Sequence, residues 1–444
     1  MNTLNRRSFL RNSGMVAGAG LLLPNLSLGK SKKIKKTKKS KKKYSLDTWD
    51  DIRAQFKLNP DRIHMAQMLF ASHPKPVREA IKMHRHKLDE DTVEYLEENL
   101  FKQPQLQREA AAEYLKADPE EIVLTNSTTM GLAILYHGLK LKAGDEIVTT
   151  THDHYVTEKS LEFSAKKNGA IIKRIAEFDD PYTATIDGIV GRITGAITPK
   201  TRVVAITWVQ SCTGVKLPIR AIADAIKEIN AKRSVSDRIY FCVDCVHGFG
   251  IEDITAESLG CDFFSAGTHK WLFGPRGTGI LWGKKEAWDM VNPTIPSFGI
   301  DTFNMWLGNI PQGKINFSDW VSPGGFHPYE NEWAVNSAFQ FHLDIGKKRI
   351  QDRTHQLNTM LKEGLTGIKH IKLHTPMSAD LSAGINCFEV NGMKPDDVVK
   401  KLLEKNIISS SSPYQTSYVR LTPSIINTED EVRTCIRELE ILKA

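Results

Sequence analysis

Asp262-Phe-Phe-Ser-Ala-Gly-Thr-His-Lys270-Trp-Leu-Phe-Gly-Pro-Arg-Gly-Thr-Gly-Ile-Leu-Trp282 is the stretch on which the fold turns. A short apolar strand carries the polar group Thr268-His269-Lys270 to its end. A glycine-rich turn follows, and then a second apolar strand. In α/β proteins ligand sites gather at strand ends, and a lysine there is placed to form a Schiff base with an aldehyde. Alone, the pattern fits a surface lysine in a turn equally well.

The neighbouring stretches narrow the choice. Ile239-Tyr-Phe-Cys-Val-Asp244 is a near-continuous apolar run closed by a carboxylate. Such a carboxylate is costly to bury without a cationic partner. A protonated pyridine nitrogen is one such partner; a metal ion or a structural contact is the rival. Leu124-Thr-Asn-Ser127-Thr128-Thr129-Met-Gly131 ends a strand in small hydroxyl residues able to open a helix. Its free N–H groups would form a phosphate site. A phosphate cradle, a ring partner and a Schiff-base lysine together fit pyridoxal 5'-phosphate.

Working outward, strands are expected at Glu121–Leu124, Glu146–Thr149, Ala170–Arg174, Val203–Thr207, Ile239–Val243, Asp262–Ser265 and Gly279–Trp282. Helical or turn-rich segments separate most of them, which predicts a mostly parallel seven-stranded α/β sheet. Asp89 to Leu115 reads as largely helical, and Asn331 to Ile345 as another helix. A helix from Gly346, a strand at Gly384–Val390, and helices at Pro395–Glu404 and from Glu429 predict a smaller C-terminal α+β domain. The expected divisions are 1–29, 30–43, 44–88 (a segment joining the domains), 89–315 (the large domain), 316–345 (a connection) and 346–444 (the small domain).

The motifs around Asp244 and Lys270 resemble those of the class V, fold-type I aminotransferases. That family includes cysteine desulfurases and isopenicillin N epimerase-like proteins. The resemblance runs from about Ile63 to the C-terminus. It implies a pyridoxal-phosphate enzyme acting at the α-carbon of an amino acid or amine, with an epimerase-like or aminotransferase outcome and a β-lyase as the alternative. It implies Lys270 as Schiff-base residue and proton shuttle, Asp244 as pyridine partner, Thr128, Thr129 and His269 as phosphate contacts, and His154 as the ring stacked on the cofactor. Ser211 stands where desulfurases usually carry Asn, nearer the epimerase-like pattern. His247 stands where many relatives carry Gln near the cofactor's phenolic oxygen, and Arg420 would grip the substrate α-carboxylate. A homodimer is implied too, although Gly325-Phe326 replaces the Gly-Thr that reaches the neighbouring subunit's phosphate. Desulfurases place a nucleophilic cysteine shortly before the final arginine; Asn406 to Val419 has none, and serine replaces a thiolate poorly.

Other signals are discounted. Strand alternation puts Cys242 and Asp244 on one face and Cys245 on the other, so no converging metal set is expected there. His152 and His154 lack a third ligand. Trp208, Trp271, Trp282, Trp306 and Trp333 are expected in core, interface or substrate wall, with Trp271 a candidate for the site's entrance. Six cysteines in 444 residues are too sparse for a disulfide framework.

The formal charge of +8 is uneven. Residues 1–43 carry 13 basic groups and no acidic one, leaving the rest at −5. A mildly acidic body argues against nucleic-acid binding by that body. Composition is otherwise globular, 41% hydrophobic and 25% charged. Arg6-Arg7-Ser-Phe-Leu followed by a short, glycine-broken apolar run resembles a twin-arginine export signal, implying recognition by that export machinery and a periplasmic or exported location. The lysine run from Lys30 to Lys43 reads as a solvated linker or as a contact for anionic surfaces. It leaves one further alternative, an exported surface-binding protein with a catalytically silent body.

Overall fold

A computed structural model describes residues 44–311 and 315–442. The stretch expected to be an export signal and the lysine run lie outside the described residues. The strands are β1 (Ile63–His64), β2 (Ile122–Thr125), β3 (Glu146–Thr150), β4 (Ile171–Ile175), β5 (Thr201–Thr207), β6 (Tyr240–Asp244), β7 (Phe263–Gly267), β8 (Gly279–Gly283), β9 (Ile371–Leu373), β10 (Asn386–Val390), β11 (Ile407–Ile408), β12 (Ser410–Ser411) and β13 (Val419–Leu421). Seven of them form one sheet in the order β2-β8-β7-β6-β5-β3-β4. Strand β8 is antiparallel to both neighbours; the other contacts are parallel.

The central strands are apolar throughout because both faces are covered. Val204, Ile206, Phe241, Val243, Phe264 and Ala266 face one core. Val203, Ala205, Cys242, Phe263 and Leu281 face the other, against Leu132, Leu135 and Leu161 of the helices Thr128–Gly138 and Tyr155–Asn168. Alternation therefore separates Cys242 from Cys245, which lies in the first core. On that first side, helix Ile219–Asn230 buries Ile219, Ile222 and Ile226, each stabilising by about 1.5–3 kcal/mol.

A second, antiparallel sheet of order β12-β13-β10-β9 forms the smaller C-terminal domain. Helices Lys347–Thr366, Pro395–Glu404 and Glu429–Glu440 supply its core through Leu357, Leu361, Val398, Leu402 and Val432, packed on Phe388, Val419 and Leu421. Met65 joins this core, and β1 pairs in parallel with β11. The helical stretch expected over Asp89–Leu115 is in fact divided. Helices cover Lys75–Glu90, Thr92–Asn99 and Lys102–Leu115, with Asp91 in a non-helical conformation between the first two.

Candidate active site

The parallel strands deliver their C-terminal ends to one edge. There β3 ends at Thr150, β5 at Thr207, β6 at Asp244 and β7 at Gly267. Lys270 follows in a turn held by Thr268, which receives the Gly274 N–H on its carbonyl (2.8 Å) and donates its own N–H to Thr278 (3.1 Å). Phe273 takes a left-handed conformation in this turn, φ 55°. Lys270 Nζ lies 3.4 Å from His247 Nε2. Burial, reinforced by Arg420 and opposed by Asp244, lowers its pKa to about 8. Asp244 is buried and accepts the Val246 N–H at 3.0 Å. Burial raises its pKa to about 6, while the Val246 N–H and Lys270 pull it down.

The phosphate corner is built by helix Thr128–Gly138. Ser127 caps it, its hydroxyl accepting the Met130 N–H at 3.1 Å. The N–H groups of the first turn have no carbonyl one turn back to bond. Thr128 Oγ1 accepts the Gly267 N–H at 2.7 Å. A Cβ on Gly267 would stand 2.9 Å from His269 Cε1 and 3.1 Å from Thr128 Oγ1. Gly267 thus lets His269 and Thr128 approach a common corner beside Lys270. Thr129 is exposed on the same first turn.

His154 caps helix Tyr155–Asn168, its Nδ1 accepting the Val156 N–H at 3.3 Å. Burial, then Lys270 and Arg420, lowers its pKa. Its neighbour Asp153 pins the loop. The Asp153 carboxylate accepts Thr149 Oγ1, Thr150 N–H and Thr150 Oγ1, each at 2.8 Å, and the Thr207 N–H at 2.6 Å. Arg420 reaches over from β13. Its Nε donates to Ser410 Oγ (3.2 Å), Nη1 to the Ser211 carbonyl (3.0 Å) and Nη2 to the Ser411 carbonyl (2.7 Å). One hydrogen on each terminal nitrogen stays available, the fork a carboxylate needs.

The structure thus gathers Asp244, His247, His154 and Arg420 into electrostatic range of Lys270, with Thr128 and His269 adjoining. Ser211 supports this group from the side, holding Arg420 through its carbonyl. Tyr414 escaped the sequence reading. Its hydroxyl lies 2.7 Å from Ser211 Oγ and its ring meets His154 edge-on at 6.2 Å. It comes from the segment before the final arginine, where the reading looked for a cysteine and passed over a phenol flanked by proline and polar residues. Asp153 was likewise hidden between two histidines. Trp271 is not at the entrance: it is 2% exposed, with its N–H on His247 Nδ1 at 3.1 Å. Trp306, 75% exposed, is the outlier among the five tryptophans. His152 lies 2.9 Å from Glu177. Cys387 and Cys212 are buried, and burial pushes Cys387 up to about 12 and Cys212 up as well.

Residues 74–433 match the sequence profile of the aminotransferase class-V family, and the chain belongs to that family. Among its relatives, a probable cysteine desulfurase of Pyrococcus abyssi is 25% identical, the match covering 88% of this chain and 97% of the relative. An isopenicillin N epimerase of Amycolatopsis lactamdurans is 24% identical over 77% of this chain and 84% of its own. Among solved structures, a variant of C-DES with glycine covalently linked to its pyridoxal-phosphate cofactor superposes with a TM-score of 0.78 at 21% identity, covering 88% of this chain and 99% of the other. The fold is that of the fold-type I enzymes, and the family's cofactor is pyridoxal 5'-phosphate. The residues present fit it. Asp244 is a buried carboxylate suited to a ring cation, the capped helix start and Thr128 lie beside Gly267 and His269 where a phosphate would be held, and Lys270 follows directly with a lowered pKa.

Proposed function

We propose that this enzyme moves a proton at the α-carbon of an amino acid, with epimerisation or transamination as the net outcome. When bound, pyridoxal phosphate supplies an aldehyde for amine attachment and an electron sink for the α-carbon. Asp244 would hold the ring nitrogen's proton, and Thr128, Thr129, His269 and the helix start would hold the phosphate. His154 would cover the ring. Arg420 would fix the substrate carboxylate, which orients the α-hydrogen. Lys270 Nζ would take that proton; with its pKa lowered to about 8, far more of it is neutral near neutral pH than of an ordinary lysine. The carrying observation is the buried Lys270 amine 3.4 Å from His247 and in electrostatic range of Asp244 and Arg420. An amino-acid panel in deuterated water tests it. Exchange with inversion and no keto acid selects epimerase; release of keto acid with the cofactor left in its pyridoxamine form selects aminotransferase. Failure to exchange the α-hydrogen of any amino acid defeats the reading.

The desulfurase relatives favour a second reading, loss of a β-substituent. It is read in the same panel as a keto acid formed together with the released group. Sulfur transfer itself finds no support here, because 406–419 offers no thiol and Cys212 and Cys387 are buried. We also propose a homodimer, supported by exposed Phe298, Phe303 and Phe326 packed on one another and nearby Trp306; a monomer by light scattering would refute it. Export through residues 1–29 is proposed on the Arg6-Arg7 pair; an R6K/R7K chain still found in the periplasm would refute that. Contact of the lysine run with anionic surfaces should vanish on deleting 30–43.

A further inference from the structure

The two ring nitrogens of His247 have different neighbours. Trp271 Nε1 donates to Nδ1 at 3.1 Å, and Nε2 faces Lys270 Nζ at 3.4 Å. An indole N–H can only donate. Nδ1 must therefore present its lone pair, and a neutral ring keeps its hydrogen on Nε2, aimed at Lys270. A protonated ring would turn a second N–H against the indole N–H. Burial and the nearby groups Lys270, Arg420 and His154 also oppose that proton.

The indole is held where it is. A Cβ on Gly384, just before β10, would stand 2.7 Å from Trp271 Cη2. One on Gly250 would stand 2.6 Å from the Trp271 carbonyl carbon. Glycines from two distant parts of the chain leave room for this side chain and its backbone, and Trp271 is buried among them.

We propose that Trp271 is a positioning residue that locks His247 as its Nε2–H tautomer, so that a neutral hydrogen-bond donor faces Lys270. This rests on the cofactor reading above. The opposite tautomer would aim a lone pair at Lys270 and favour the ammonium form, which cannot take a proton. The lock instead lets His247 donate to the neutral amine, or to a negatively charged oxygen, without adding a second cation beside Lys270. A glutamine in place of His247 would supply an amide N–H donor that has no tautomer to lock.

Two measurements test the proposal. In the cofactor-free protein labelled with nitrogen-15 histidine, the His247 signals should show a protonated Nε2 and an unprotonated Nδ1. A protonated Nδ1 in the parent overturns the proposal whether or not cofactor binds. The second is a cycle of cofactor dissociation constants. W271F should weaken binding roughly five- to tenfold, the loss of one oriented hydrogen bond. In the H247Q background the same change should cost less than about twofold. Equal losses in both backgrounds would mean that Trp271 only packs, and the lock would be refuted. A protein that shows the expected tautomer but never binds cofactor refutes the functional reading and leaves the tautomer assignment standing.

Discussion

Replacing Gly131 with alanine tests whether the seat of helix Thr128–Gly138 on β7 shapes the phosphate corner. A Cβ at Gly131 would stand 2.1 Å from Ser265 Oγ and 3.1 Å from Ser265 Cβ. The first contact forces Ser265 to rotate and abandon its bond to the Ile280 carbonyl at 3.2 Å, a loss of about 1 kcal/mol. The second requires the helix to lift slightly, an overpacking cost of about 1–3 kcal/mol. Alanine returns up to about 1 kcal/mol through helix propensity, so G131A should destabilise by about 1–3 kcal/mol. The lift moves Thr128, which is tied to Gly267 at 2.7 Å, and should weaken cofactor binding about tenfold, equivalent to about 1.4 kcal/mol. Thermal melts of the cofactor-free protein and titration with cofactor measure the two effects. S265A removes the worse clash and should restore most of the affinity in the double variant. Unchanged affinity in G131A, or no rescue by S265A, would refute the claim that this packing contact sets the corner.

Other perturbations probe the remaining walls. D153A leaves the buried Thr150 and Thr207 N–H groups unpaired, at about 1–3 kcal/mol each; melting temperature and cofactor affinity should both fall as His154 loses its anchor. Y414F removes the 2.7 Å contact with Ser211 Oγ. Under an epimerase outcome that needs a second proton carrier, inversion should drop about a hundredfold while α-proton exchange persists; under a transaminase outcome the keto-acid rate should change little. For cofactor-free protein, the Asp244 pKa of about 6 lies above its ordinary 3.8. The folded state therefore holds a proton that the unfolded state has released, and stability from this group falls as pH rises from about 4 to about 6. D244N should lose that slope in melts across the range, and saturating cofactor should remove it from the parent, because a ring cation lowers the carboxylate pKa.

The large sheet was legible because its strands, buried on both faces, are unbroken apolar runs. Asp244 and Lys270 stood out as polar residues closing such runs. The position of β8 between β2 and β7 was not legible, since strand order depends on which edges meet. Strands β9 and β11–β13 escaped because two or three residues carry no periodicity. The break at Asp91 was invisible for the converse reason: helical spacing continues on both sides. Tyr414, Asp153 and the Trp271–His247 contact depend on meetings between distant segments, and none has a local signature. Arg420 was found only through the resemblance, because a single arginine in Tyr-Val-Arg-Leu reads from pattern alone as an ordinary edge residue.

The electrostatics of the site link cofactor binding and stability. Asp244 and Lys270 are each driven toward neutrality by burial. An incoming ring cation and phosphate would meet, respectively, a carboxylate lacking such a cation and a helix start with free N–H groups, so the cofactor should bind the folded chain and not the unfolded one. At a thousand times its dissociation constant it should then add about 4 kcal/mol of stability. Raised melting temperature with cofactor in the parent, but much less in K270A, is the expected result; equal shifts in both would show that Lys270 contributes little to holding it. The twin-arginine route carries proteins already folded. On that proposal, cofactor loaded before export stabilises the state that the route accepts, and the exported pool should carry its cofactor from the start. Exported chains that acquire cofactor only after leaving the cytoplasm would break this connection.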